Sequence, residues 1–215
     1  MAKLTLKQIF VALEQQILFG KTHLAISKGL TDAEPKVYGA APTFFGLTEV
    51  GGIHLAQMTI ARLYDLTART VTVQAMLHRS AEERAKFSSG DEETVTQAIL
   101  DCAHRVIALQ SIRHSIRTNR NKWLAHLDEA TVRNPQALAT KVRLTILDLD
   151  RAFEETEAII NKIRKLFDGT HGPIRFSGGD DYQTVFKHIR HSQDAEKKEF
   201  DAVFEAQFGH APPST

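Results

Sequence analysis

The sequence predicts an all-α protein: an antiparallel helical bundle with an additional C-terminal helix. Three observations carry this. Apolar residues recur at three- and four-residue spacing along most of the chain, the period of a helix that buries one face. No strand-like alternation of apolar and polar residues stands out against it. Two consecutive segments also carry matching apolar seams separated by a polar stretch, the pattern of a helical hairpin.

The elements follow in order. A first helix is expected over about residues 4–28, with Leu6, Phe10, Leu13, Ile17 and Leu24 on one side and Gly29 as its stop. The loop "TDAEPKVYGAAPTFFG" is rich in Gly and Pro. A second helix is expected from near residue 43 to about 68, where Gly51-Gly52 permits a kink or a late start. "TVTVQAMLHR" reads as a short helix, although its Val and Thr residues also suit a strand.

Asp91 is a good N-cap, with Glu92 and Glu93 in the first turn of the helix after it. That helix has the clearest seam: Val95, Ile99, Cys102, Val106, Leu109, Arg113, Ile116, Arg120 and Trp123. The partner seam is Ile146, Leu149, Phe153, Thr156, Ile160, Ile163 and Phe167, with Gly169 beyond its end. Residues 1–169 are therefore read as the bundle. Residues 170–215 supply a linker, a last helix from about Asp180 to Phe208, and a tail. The charged "DAEKKEF" places that helix on the outside of the same domain.

Composition narrows the functional classes. A chain of 215 residues suits one domain with an appendage. The formal net charge of +1 gives no global field toward nucleic acid, so any polyanion site must be local. The single cysteine, Cys102, rules out a disulfide framework and suits a reducing compartment. The N-terminus lacks the features of a signal peptide, because Glu14 interrupts its apolar run. No window approaches the ~20 apolar residues of a membrane span. The expectation is a cytoplasmic protein with no membrane partner.

A local polyanion site is suggested by one run. Between Asp101 and Asp128 there is no acid, but Arg105, Arg113, Arg117, Arg120 and Lys122 are present, with His104, His114 and His126. Arg113 and Arg120 occupy seam positions where an apolar residue is expected. A buried guanidinium needs an anion, a partner or water. Either acids arrive from elsewhere, such as Asp148 or Asp150 on the facing helix, or the end of this helix lines a wet cationic cleft. Such a cleft would take a phosphate. Six helical steps turn His126 roughly 120° from Arg120, so the two would flank a groove and not stack on one stripe.

Other candidates carry less. Asp101 and His104 have the i, i+3 form of a helical metal pair, but matching ligands are missing, so no metal is expected. Cys102 lies on the apolar seam as a buried thiol. Trp123 is read as core. "FSGGDD" lacks the Lys and spacing of a phosphate-binding loop and is read as a linker.

The string "RNKWLAH", Arg120 to His126, resembles the Arg-x(4–6)-His signature of the HEPN superfamily (higher eukaryotes and prokaryotes nucleotide-binding). There the Arg is often followed by a polar residue, here Asn121. The longer "RNKWLAHLD", with "ARLYD" at residues 61–65, resembles the AbiU-type abortive-infection branch. The resemblance covers about residues 4–168 and gives nothing for the segment after 169.

The resemblance implies a four-helix core that dimerises, with two Arg-His motifs meeting between subunits. It also implies a metal-independent endoribonuclease without a cofactor, of the kind found in phage defence or toxin–antitoxin systems. RNA would be its substrate and an antitoxin protein a further partner. Position by position, Arg120, Asn121 and His126 match the motif and would be catalytic. Arg113, Arg117 and Lys122 would bind the RNA backbone. Two other readings stay open: a non-catalytic RNA or nucleotide binder of the same fold, and a structural bundle whose arginines are paired internally.

Overall fold

The computed structural model describes residues 4–65, 70–121, 133, 144–174 and 181–209. These form eight α-helices and one 3₁₀ turn, with no strand among the described residues. The all-α expectation holds.

Helix α1 (Leu6–Thr31) starts at a capping box. Thr5 accepts from the Gln8 N–H, and the Gln8 side chain accepts from the Thr5 N–H. Its five expected apolar positions, Leu6, Phe10, Leu13, Ile17 and Leu24, are all buried. Gly29 does not end it, contrary to the sequence reading; the helix runs two residues further. A Cβ at Gly29 would lie 2.2 Å from the Tyr182 ring, so the glycine makes room for the last helix.

A five-residue helix, α2 (Pro35–Gly39), interrupts the loop that follows. Helix α3 (Pro42–Leu63) then packs along α1 as the most extensive helix pair of the molecule. Gly52 permits that closeness: a Cβ there would lie 2.2 Å from Ser27 Oγ and 2.8 Å from the His23 carbonyl oxygen. The helix is continuous through Gly51 and Gly52 and ends earlier than residue 68.

Thr72 caps α4 (Val73–Glu82), so the ambiguous "TVTVQAMLHR" is helical. Asp91 caps α5 (Glu92–Ala108), accepting from the Thr94 N–H at 2.7 Å. That bond holds the exposed Asp91 carboxyl below its ordinary pKa. Helix α7 (Ile146–Asp168) buries Leu149, Phe153, Thr156, Ile160 and Ile163 and closes on Gly169 at φ 76°. Between them lies α6 (Gln110–Asn119), and α8 (Asp181–Phe208) completes the chain.

The α5–α7 hairpin is antiparallel. Arg105 meets Glu155 and Asp101 meets Lys162, so numbers rise along one helix as they fall along the other. The main core joins α1, α3, α4, α5, α6 and α7. A smaller cluster of Leu30, Val37, Phe45 and Phe186 seats the start of α8 on α2 and α3.

One expected element differs. The long helix after Asp91 is not continuous: it breaks at Leu109, which is buried at φ −85°, ψ 3°. Arg113 Nη1 donates to the Val106 carbonyl oxygen at 3.4 Å. That carbonyl belongs to the last turn of α5, where intrahelical partners run out. A side chain reaching into the carbonyl ladder is a recognised cause of such a kink.

Candidate functional site

The break at Leu109 sets α6 against the C-terminal end of α3. The two enclose a cleft of about 560 Å³, lined by Tyr64 and Asp65 on one side and by Arg113, His114, Arg117 and Arg120 on the other. Helix α6 presents these four because positions three and four apart share a face. Ile112 and Ile116 are buried in the core and hold it down, Ile116 at the edge of the cleft.

Arg113 explains its place on an apolar seam. Its guanidinium lies over the face of Tyr64, 4.7 Å from the ring centroid, a cation–π contact. Burial lowers the Arg113 pKa from its ordinary value, with the nearby Tyr64 opposing. Its Nε is buried and has no acceptor among the described residues. Tyr64 is itself buried. Its hydroxyl sits 2.6 Å from Thr156 Oγ1. Thr156 spends its own hydrogen on the Ala152 carbonyl, so Tyr64 is the donor. Burial pushes the Tyr64 hydroxyl up to about 12.

The far end of α6 is anchored by a contact that sequence reading missed. Asn119 Nδ2 donates to Oε1 of the buried Gln57 at 2.6 Å, across from α3. A lone Gln inside the apolar run of α3 was the available signal. Just beyond, the winding widens to a π-type turn at Arg120 and Asn121, a feature that often marks functional positions. Arg120 is half-buried and donates from Nε to Asn121 Oδ1 at 2.9 Å. Asn121 is exposed and is not part of the cleft wall.

The structure therefore brings Arg113, Arg117 and Arg120 into one cleft, with His114, to which no role had been given. Lys122, Trp123 and His126 lie outside the described residues. The cleft is not free of acid, because Asp65 shares its wall. Asp65 has an interaction of its own and is no free carboxylate. Asp148 and Asp150, the acids considered for Arg120, are engaged elsewhere. Asp148 closes the capping box with Thr145, and Asp150 pairs with Lys28 at 2.7 Å. Among the described residues no carboxylate pairs with Arg113, Arg117 or Arg120.

Other candidates resolve as structural. Asp101 bonds Lys162 and Gln97, and the Lys162 bond leads in holding its carboxyl below the ordinary range. Among the described residues, no group of three or more His, Cys, Asp or Glu side chains is placed to hold a metal ion. Cys102 is buried, and burial raises its thiol to about 11, which keeps it protonated and unreactive. A second cleft of about 500 Å³ lies between α1, α7 and α8. Its cations Lys21, Lys28 and Arg190 are paired with Glu157, Asp150 and Glu34, so it offers no comparable charge to an anion. No described helix is long and apolar enough to cross a membrane.

The fold and the cleft define the class: an all-helical bundle with arginines gathered in one cleft beyond a broken helix. The chain matches the family model described as AbiU2 over residues 6–196, and it belongs to that family, which is related to abortive infection. The match extends past residue 168, where the resemblance read from the motifs stopped, and takes in the first part of α8. No curated protein and no solved structure matches the chain.

Proposed function

We propose that the protein is a metal-independent endoribonuclease of the HEPN type, acting in phage defence or as a toxin in the cytoplasm. One observation supports this above the rest: three guanidinium groups, those of Arg113, Arg117 and Arg120, line one cleft without a described carboxylate partner. Membership of a HEPN-type family is consistent with that reading.

RNA carries its own nucleophile. A base takes the proton of the 2′-hydroxyl as its oxygen attacks phosphorus. The bond from phosphorus to the 5′-oxygen breaks, and that oxygen takes a proton from an acid. The products are a 2′,3′-cyclic phosphate and a 5′-hydroxyl. His126 fills the base or acid role, because an imidazole titrates near neutrality. Arg120 holds the phosphate as charge builds on its oxygens. Asn121, already bonded to Arg120, orients that guanidinium. Arg113, Arg117 and Lys122 bind the backbone, and Arg113 Nε is a buried donor in need of an acceptor. A second protomer would supply a second His126, so one imidazole is base while the other is acid.

The test is cleavage of mixed RNA in EDTA by the wild type and by the Arg120→Ala and His126→Ala variants. The expected result is cyclic-phosphate ends, and a loss of roughly 100-fold or more in each variant with helical content unchanged. Cleavage that EDTA abolishes, or that His126→Ala leaves intact, refutes the proposal. Salt-sensitive binding without any cleavage selects the non-catalytic binder instead.

A further inference from the structure

The cleft between α3 and α6 holds two side chains that the ribonuclease reading leaves idle. Gln110 and His114 both line it. They stand four residues apart on α6, one turn along the same face. Both are exposed, and among the described residues neither has a hydrogen-bond or ion-pair partner.

Helical phase sorts the cleft residues of α6 into tiers. At 100° per residue they fan outward from the core in the order Ile116, Arg120, Arg113, Arg117, Gln110, His114. Burial follows the same order. Ile116 is buried, Arg120 and Arg113 are half-buried, and Arg117, Gln110 and His114 are exposed. The inner tier is therefore cationic. The outer tier, past Arg117, is an amide and an imidazole ring.

The two tiers suit different parts of one nucleotide. A phosphate is satisfied by guanidinium groups alone and gains nothing from an amide that donates and accepts at once. A nucleobase edge sets a donor beside an acceptor, and a Gln amide can pair with both. An imidazole offers a flat face on which a base can stack. The α3 wall opposite is mostly apolar, with Ile60, Ala61 and Tyr64 before Asp65. Size limits what can enter. A volume of about 560 Å³ is that of a small-ligand site. It admits a splayed nucleotide but not a duplex, whose bases stay stacked inside the helix.

We propose that the cleft reads one unstacked base of a single-stranded RNA, Gln110 pairing with its edge and His114 stacking on its face. The inner arginines hold the adjoining phosphates. Phosphate contacts position a strand and base contacts specify it, so Gln110 sets a sequence preference that the arginines cannot. The bidentate partner of a Gln amide is adenine, and adenine is the base assigned. The inference rests on the reading of the cleft as an RNA site, and it holds whether or not the strand is then cut.

The probes are fluorescein-labelled 2′-O-methyl octamers of A, C and U. They keep bases and phosphates but lack the 2′-hydroxyl nucleophile, so binding is read without cleavage. Fluorescence anisotropy of the full-length protein across a salt series at pH 8 gives affinity and slope. The wild type is expected to bind the A octamer roughly fivefold or more tighter than the other two. Gln110→Ala is expected to bring the three within about twofold of one another at an unchanged slope. His114→Ala is expected to weaken all three by roughly fivefold or more, keeping both the slope and the preference for A. Arg117→Ala supplies the contrast, weakening all three and lowering the slope by about one. Gln110→Met keeps the length of the side chain without its amide and repeats the Gln110 result, and circular dichroism confirms the fold of each variant. Equal affinities in the wild type, a preference for another base, a preference that survives both Gln110 variants, or a His114→Ala chain that binds as the wild type does overturns the proposal. So does a failure to bind any octamer. A protein that shows the preference but cuts no RNA loses only the ribonuclease reading, and one that cuts RNA but binds the octamers alike loses only the base assignment.

Discussion

The two halves of the segment from Glu92 to Asn121 put their arginines to different uses. In α5, Arg105 is matched by Glu155 at 2.9 Å across the hairpin, and the neighbouring Asp101 takes Lys162. Beyond the break at Leu109, among the described residues Arg113 has a ring face and a carbonyl, and Arg120 has a neutral amide. The first half follows the economy of a surface, where exposed pairs contribute little and cost little. The second leaves its arginines beside a cleft with no carboxylate paired to them among the described residues, an arrangement that favours an anionic visitor. For the arginines the difference lies in the facing helix. Helix α7 offers Glu155 opposite α5, while α6 faces Tyr64 and Gln57 of α3.

The comparison can be broken most severely at Tyr64. Its replacement by Ala removes the ring beneath Arg113 and the hydroxyl on Thr156. The expected cost is about 3–5 kcal/mol of stability, as for other large core truncations, read by denaturant unfolding. A loss under 1 kcal/mol would mean that the ring carries little of the α3–α6–α7 junction.

Much of this was legible beforehand. The α5 and α7 seams, the Asp91 cap and the Gly169 stop are local patterns, and local patterns are written in spacing. The two features that build the cleft are not local. At the break the Arg113 side chain is held over Tyr64 at the end of α3, and the Gln57–Asn119 clamp joins residues 62 apart in sequence. Gly29 misled for the same reason: its role is set by Tyr182, from the far end of the chain. The arginines of the site could be picked from sequence because a charge on an apolar seam is conspicuous. The tyrosine and glutamine that place them were visible as residues, but their partners Arg113 and Asn119, on another helix, were not.

A smaller effect sharpens the contrast. Arg117→Ala is expected to weaken RNA binding several-fold and to reduce the salt slope by about one, whereas Arg105→Ala leaves the slope unchanged. Filter binding across a salt series decides it, and equal slopes for the two variants would remove the distinction drawn between α5 and α6.

The smallest effect is alkaline. The folded state raises the Tyr64 pKa to about 12, chiefly by burial, so it favours the neutral phenol. That contribution is fully present below the ordinary value near 10 and is lost as pH rises through 12. Tyr64→Phe is expected to flatten the fall in stability between pH 10 and 12. An unaltered curve would assign that fall to other groups.

The Nε of Arg113, without an acceptor among the described residues, has a consequence beyond recognition. A donor left without an acceptor is a standing debit of about 1–3 kcal/mol against the native state. Any guest whose oxygen settles there would cancel the debit, tightening the junction of three helices at the moment of loading. In this protein, occupancy of the cleft and firmness of the fold would be two readings of one equilibrium.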